Sequence, residues 1–181
     1  MNRTFEFPTI ETERFILRQI TEYDLENVFK GLSHPDVIRY YGVNFDSIEA
    51  TKKQIVWFKN LENNGKGIWW AICSKDNTIF YGAGGLNDLD QINRKSEVGF
   101  WLLPENWGNG IMKEAMLQIC KYGFEKLKLH RIEGFVDSKN SNCKKGLAKL
   151  GFNYEGTMID CEIKNKEYIS LDVYAMINNE K

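Results

Sequence analysis

Glu97-Val98-Gly99-Phe100-Trp101-Leu102-Leu103-Pro104-Glu105-Asn106-Trp107-Gly108-Asn109-Gly110-Ile111-Met112-Lys113-Glu114-Ala115-Met116 is the stretch whose reading decides the fold. Its first six residues are β-rich and end at Pro104, which cannot continue a strand ladder. From 110 to 126, Met112, Ala115, Met116, Ile119, Cys120 and Gly123 recur at the i, i+3, i+4 spacing of one buried helix face, opposite Lys113, Glu114, Gln118, Lys121 and Glu125. Such an amphipathic helix packs on a sheet. Between strand and helix lies Trp107-Gly108-Asn109-Gly110-Ile111-Met112, where the first amides of the helix have no partner and its dipole favours an anion. Glycines there let phosphate oxygens approach the backbone. The same G-x-G also serves as a plain strand-to-helix connection, and it has the spacing of neither a Walker loop nor a dinucleotide fingerprint.

Working upstream, residues 14–20 read as a first strand. Residues 21–32, opened by a Thr-x-x-Asp cap, and residues 47–63 read as two helices. Residues 68–74 and 78–84 form an expected hairpin across Lys75-Asp76-Asn77, and residues 87–94 an expected polar loop. Downstream come a strand at 131–137, a short helix at 141–150 closed by Gly151, and strands at 153–163 and 167–177. The order β αα β β β α β α β β is that of an α/β domain with a mixed sheet. No linker-like stretch or repeat divides it, so residues 1–181 are read as a single domain.

Composition narrows the function. The chain has 24 Lys+Arg against 25 Asp+Glu, a net charge of −1, which supplies no field for a nucleic acid partner. No apolar run approaches the roughly 18 residues of a membrane helix, and residues 1–7 lack a leader pattern, so a cytoplasmic location is expected. Cys73, Cys120, Cys143 and Cys161 show no CxxC spacing, and His34 and His130 are the only histidines, which argues against a metal site or a disulfide framework.

Glu97-Val98-Gly99-Phe100-Trp101, Trp107-Gly108-Asn109-Gly110 with Glu114-Ala115, Asn140-Ser141-Asn142-Cys143, and Lys149-Leu150-Gly151-Phe152 with Glu155-Gly156 follow one another in an order that resembles the GNAT N-acetyltransferases. The branch it resembles most contains the ribosomal-protein N-terminal acetyltransferases RimJ and RimL, with similarity running from about residue 12 to about residue 178. The resemblance implies a GNAT fold with splayed central strands and acetyl-CoA as cosubstrate. Its diphosphate would lie on the amides of Gly108, Asn109, Gly110, Ile111 and Met112, beside Trp107. Its pantetheine arm would follow a bulged strand at 97–103, lined by Phe100, Trp101 and Leu102, with Asn140 bonding the arm. Lys144, Lys145 or Lys149 would reach the adenosine phosphate, although surface lysines of this kind are ordinarily just solvated.

The sequence departs from the family pattern at several positions. Trp107 stands where the general motif has Gln or Arg, and Met112 where it has Gly or Ala. Leu147 occupies the place of the tyrosine that protonates the departing thiolate, and Cys143 that of the serine used instead in the RimJ-like branch. A cysteine at a helix N-terminus is expected to have a lowered thiol pKa and so to be a usable acid; the other reading is a small buried hydrophobe. Glu97, with Glu162 second, is the candidate base, each equally able to serve as a structural ion-pair partner. Tyr40 and Tyr41, after a segment resembling the helix and loop over the family's acceptor site, are expected in the acceptor cleft.

These readings lead to acetyl transfer from acetyl-CoA directly to a primary amine, foremost the α-amino group of a protein or peptide. The alternatives are a small amine, such as a polyamine or aminoglycoside, and an acyl-CoA-binding module without turnover. A homodimer is left open.

Overall fold

The computed structural model describes residues 7–178. One continuous sheet of eight strands has the order β1-β2-β3-β4-β5-β6-β8-β7. Its strands are β1 (Ile10–Glu11), β2 (Phe15–Gln19), β3 (Ile68–Ser74), β4 (Phe80–Asp90), β5 (Lys95–Leu102), β6 (Arg131–Asp137), β7 (Asn153–Lys164) and β8 (Glu167–Ile177). The helices are α1 (Leu25–Leu32), α2 (Pro35–Ile38), α3 (Ile48–Asn63), α4 (Ile111–Glu125) and α5 (Ser141–Leu150). Every neighbouring pair is antiparallel except β5 and β6, which are parallel and joined through the crossover helix α4. Among the described residues no helix is long and apolar enough to cross a membrane. The leader reading of residues 1–7 falls, apart from Phe7, outside the described residues.

Strand alternation divides the core between the two faces of the sheet. On one face Leu17, Trp70, Leu86, Val98 and Ile132 pack against Ala115, Met116 and Ile119 of α4 and Leu147 of α5. On the other, Ala71, Cys73, Ala83 and Trp101 meet Val28 and Leu32 of α1 and Phe58 of α3. Gly31 of α1 permits this second contact, since a Cβ there would lie 2.1 Å from the Trp101 ring.

The mixed α/β architecture is the expected one, with local additions. Two-residue β1 is too short to show any periodicity; it pairs with β2 at Ile10↔Leu17 and Glu11↔Ile16. One-turn α2 starts at Pro35, where a helix needs no amide, and the His34 ring accepts from the Asp36 amide (3.3 Å). The first helix is expected from residue 21, but residues 22–24 form a 3₁₀ turn. There the Asp24 carboxylate reaches back to the Thr21 amide (2.8 Å) and takes both arms of the Arg18 fork (2.8 Å each).

The largest difference is in β4, which continues to Asp90 across residues read as loop. A bulge accommodates the polar residues there. The register passes from Asn87↔Glu97 to Asp90↔Lys95, so Asp88 and Leu89 together oppose Ser96. Asp88 has φ 51°, and the Ser96 hydroxyl donates to the Asn87 carbonyl (2.6 Å).

Ile119 is fully buried at the centre of the α4 stripe. Ile119→Ala should lower unfolding stability by about 2–5 kcal/mol. Urea titration should show this as a lower midpoint with the same m-value.

Candidate active site at the parting of two strands

The parallel ladder between β5 and β6 has only three paired positions, Lys95↔Arg131, Ser96↔Ile132 and Glu97↔Glu133. Beyond Glu97 the strands part: β5 stays with β4 as far as Leu102, and β6 stays with β8 as far as Asp137. Side chains occupy the gap where pairing would resume. A Cβ on Gly134 would lie 3.2 Å from Leu147 and 3.5 Å from Val98.

The Leu103 amide donates to Tyr81 in β4 (2.9 Å), so alternation turns the backbone groups of Leu102, Phe100 and Val98 toward the gap. There the Leu102 carbonyl accepts the Trp107 indole N–H (2.9 Å). Along residues 97–102 the register with β4 is one-to-one, so the bulge expected in this strand lies instead in β4, at Asp88–Leu89.

The gap opens into a cleft of about 620 Å³ that runs through the sheet. Tyr40, Tyr41, Trp57, Trp69 and Glu97 line it on the α1–α3 side, and Met112, Cys143 and Leu147 on the α4–α5 side. Phe100, Trp101, Leu102, Trp107, Gly108 and Asn140 also border it. Asn109, Gly110 and Ile111 belong to the turn at its edge, with the Ile111 side chain in the core. Lys144, Lys145, Lys149 and Glu162 are not among the lining residues.

Gly108 (φ 80°) and Gly110 (φ 73°) take the left-handed conformation that brings the chain into α4. Among the described residues the amides of 108–113 find no acceptor; the first turn-closing bond is from the Glu114 amide to the Gly110 carbonyl (3.2 Å). A Cβ at Gly108 would meet nothing within 4 Å. Open amides at a helix N-terminus beside unpaired strand backbone and an apolar wall fit an acyl-CoA, which carries a diphosphate, two amides and a thioester.

A second group at this turn escaped the sequence reading. Arg14, just before β2, bonds Glu114 through Nε (2.7 Å) and the Asn109 carbonyl through its fork (3.1 Å). The residues are about a hundred positions apart, and no local pattern links them.

Glu97 is half-buried at the last paired position. Burial, followed by the nearby carboxylates Asp88, Glu133 and Glu162, pushes its carboxyl up to about 7. Glu133 is balanced by Arg131 (2.7 Å) and Lys95 (3.2 Å). The β4 bulge brings in Asp88: Leu86 and Leu89 both enter the core, so Asn87 and Asp88 both turn out of it. Burial, and then the Glu97 charge, raise the Tyr41 hydroxyl well above the ordinary phenol value. Lys164 of β7 donates to the carbonyls of Ile38 (3.0 Å), Arg39 (2.7 Å) and Tyr41 (2.9 Å), which holds the Tyr40–Tyr41 segment over the cleft. Trp69 and Trp101 are almost fully buried, and neither indole N–H has a partner among the described residues.

The expected lowering of the Cys143 thiol pKa is corrected. Its side chain packs against the main core, and burial pushes the thiol up to about 12, because the desolvated thiolate loses more than the helix terminus returns. Asn140 caps α5 by accepting from the Cys143 amide (3.1 Å). Lys144 is tied to the Ser138 carbonyl (2.7 Å) and Asp172 (3.0 Å), while Lys145 and Lys149 are exposed.

Residues 14–153 match the Acetyltransferase (GNAT) domain family. The uncharacterized N-acetyltransferase YoaA of Bacillus subtilis is 37% identical over 172 residues, covering 94% of this chain and 97% of YoaA. The ribosomal-protein-serine acetyltransferase of Escherichia coli is 28% identical over 133 residues, 72% of each chain. The solved structure of the ribosomal L7/L12 α-N-protein acetyltransferase RimL with coenzyme A superposes with a TM-score of 0.84 at 20% identity, covering 94% of this chain and 98% of RimL. With that family match over most of its length, this chain belongs to the GNAT acetyltransferases and is an acetyl-CoA-dependent N-acetyltransferase.

Proposed function

We propose that this enzyme, acting as one domain over residues 1–181, acetylates the α-amino group of a peptide or protein. The observation that carries this reading is the Glu97 carboxyl, half-buried at the cleft and raised to about 7. The ribosomal-protein-serine acetyltransferase among the relatives supports the same choice.

Glu97 is the base in this reading. An α-amine of pKa about 8 is roughly 10% neutral at pH 7, whereas a lysine amine of pKa about 10.4 is only about 0.04% neutral. A carboxylate titrating at about 7 is matched to the first. Glu97 accepts the proton of the α-ammonium directly or through water, the amine lone pair attacks the thioester carbonyl, and as the C–S bond breaks the CoA thiolate takes up the second proton that the amide nitrogen sheds. Glu162 tunes Glu97 by its charge. Cys143, a neutral thiol, forms part of the wall beside the sulfur and can donate a hydrogen bond.

The amides of Gly108 to Met112 hold the diphosphate, with Trp107 fixing the turn to β5. The backbone of Val98 and Phe100 and the Asn140 side chain take the pantetheine amides, between Phe100, Trp101 and Leu102. Exposed Lys145 and Lys149 approach the adenosine phosphate; Lys144 is held by Asp172. Tyr40 and Tyr41 line the acceptor entrance.

Release of CoA should exceed the acceptor-free control with peptides bearing a free α-amine. It should not do so with Nα-blocked lysine peptides, polyamines or aminoglycosides; faster turnover of any of these would overturn the acceptor assignment. kcat/KM should rise with pH through about 7, and Glu97→Gln should remove that limb and most of the rate. The stability effect has the opposite sign. A carboxyl raised in the fold costs stability as pH rises from its unfolded value, about 4.3, to about 7. Glu97→Gln should therefore raise Tm at pH 8 and leave it unchanged near pH 4. Gly110→Asp puts a negative side chain at the turn and should weaken acetyl-CoA binding at least about tenfold in calorimetry.

A further inference from the structure

Glu114 lies in the first turn of α4, where its carboxylate competes with any anion for the positive helix terminus. Its position within one turn of the Gly108–Gly110 amides would oppose a diphosphate. Three donors from residues 12–14 draw the carboxylate aside: the Thr12 hydroxyl (2.6 Å), the Arg14 amide (2.9 Å) and Arg14 Nε (2.7 Å). The other arm of Arg14 takes the Asn109 carbonyl (3.1 Å), and its guanidinium comes within 3.5 Å of where a Gly110 Cβ would stand. A tight turn holds Arg14 in place, closed by the Phe15 amide on the Thr12 hydroxyl (2.9 Å) and the Thr12 amide on the Phe15 carbonyl (2.9 Å). Burial opposes charge on Glu114, but the bonds from Thr12 and Arg14 outweigh it and keep the carboxyl below its ordinary value. The Arg14 side chain is 47% exposed, and an ion pair so open to water contributes little to folding. Its geometry has a consequence for binding instead.

We propose that Arg14 is a positioning residue for the cosubstrate: it neutralises Glu114 and turns the Asn109 carbonyl away, so that the amides at the start of α4 face the CoA diphosphate unopposed. This rests on the diphosphate site proposed above. Arg14 acts only through that site, so its effect depends on the donor carrying a diphosphate.

The test pairs calorimetry of CoA binding with kinetics on two donors, acetyl-CoA and S-acetyl-pantetheine, which lacks the diphosphate. Arg14→Met should weaken CoA binding about tenfold. It should raise the ratio of KM for acetyl-CoA to KM for S-acetyl-pantetheine by a similar factor. Arg14→Lys, which keeps the charge but not the fork, should fall between. The double variant Arg14→Met/Glu114→Gln should recover most of the lost affinity, because the charge that opposed the diphosphate is gone. Equal losses with both donors, or no recovery in the double variant, would make Arg14 merely structural and overturn the proposal. Wild-type CoA affinity in both Arg14 variants while Gly110→Asp loses it would also overturn it, with the diphosphate site intact. Wild-type affinity in Gly110→Asp as well would remove that site.

Discussion

The molecule depends on a parallel ladder that stops after Glu97 and Glu133. Had β5 and β6 stayed paired, the sheet would be continuous and its backbone groups satisfied internally. Parting leaves Val98 and Phe100 with groups facing a cleft, while β4 and β8 still hold the outer sides of the two strands. The separation is maintained by packing: Leu147 and Val98 crowd the place where Gly134 has no side chain. The same parting admits the N-terminal ends of α4 and α5 to the cleft edge, since each helix follows one of the diverging strands.

Charge is distributed along this cleft with a clear polarity. Open amides lie at the α4 end, and Glu97 lines the other side, with the charges of Asp88, Glu133 and Glu162 acting on it. In the proposed reading an anionic cosubstrate and a cationic amine are attracted to opposite ends, with the thioester between them. Lys95 and Arg131 balance Glu133, Lys164 donates to three carbonyls, and among the described residues Glu97 forms no ion pair. Burial, followed by the charges of Asp88, Glu133 and Glu162, brings its carboxyl into the range where it can exchange protons with an amine near neutral pH.

Much of this was legible locally. The α4 stripe, the Gly110 entry, the α5 boundaries and its Gly151 cap follow from spacing and from glycine's access to positive φ, each set within one turn of helix. Glu97 and the Tyr40–Tyr41 segment beside the cleft came from the family resemblance. The end of β4 did not come from either, because a bulge hides a strand inside polar residues and only the pairing of Asp90 with Lys95 beyond it reveals it. The direction of the Cys143 shift was misread for a related reason. A helix terminus is visible in sequence, whereas the burial that outweighs it comes from residues distant in the chain.

By itself the sequence determined the alternation of strands and helices, the placement of a glycine turn with open amides before an amphipathic helix, and the motif string of the GNAT acetyltransferases. These depend on interactions over a few residues. Tertiary structure alone decided where the parallel ladder ends, that Arg14 braces Glu114 about a hundred residues away, that Lys164 holds the segment of Tyr41, and that Glu97 titrates near 7. Each of those is a matter of packing, of desolvation or of charged groups meeting distant partners, and none of these exists until the chain has closed on itself.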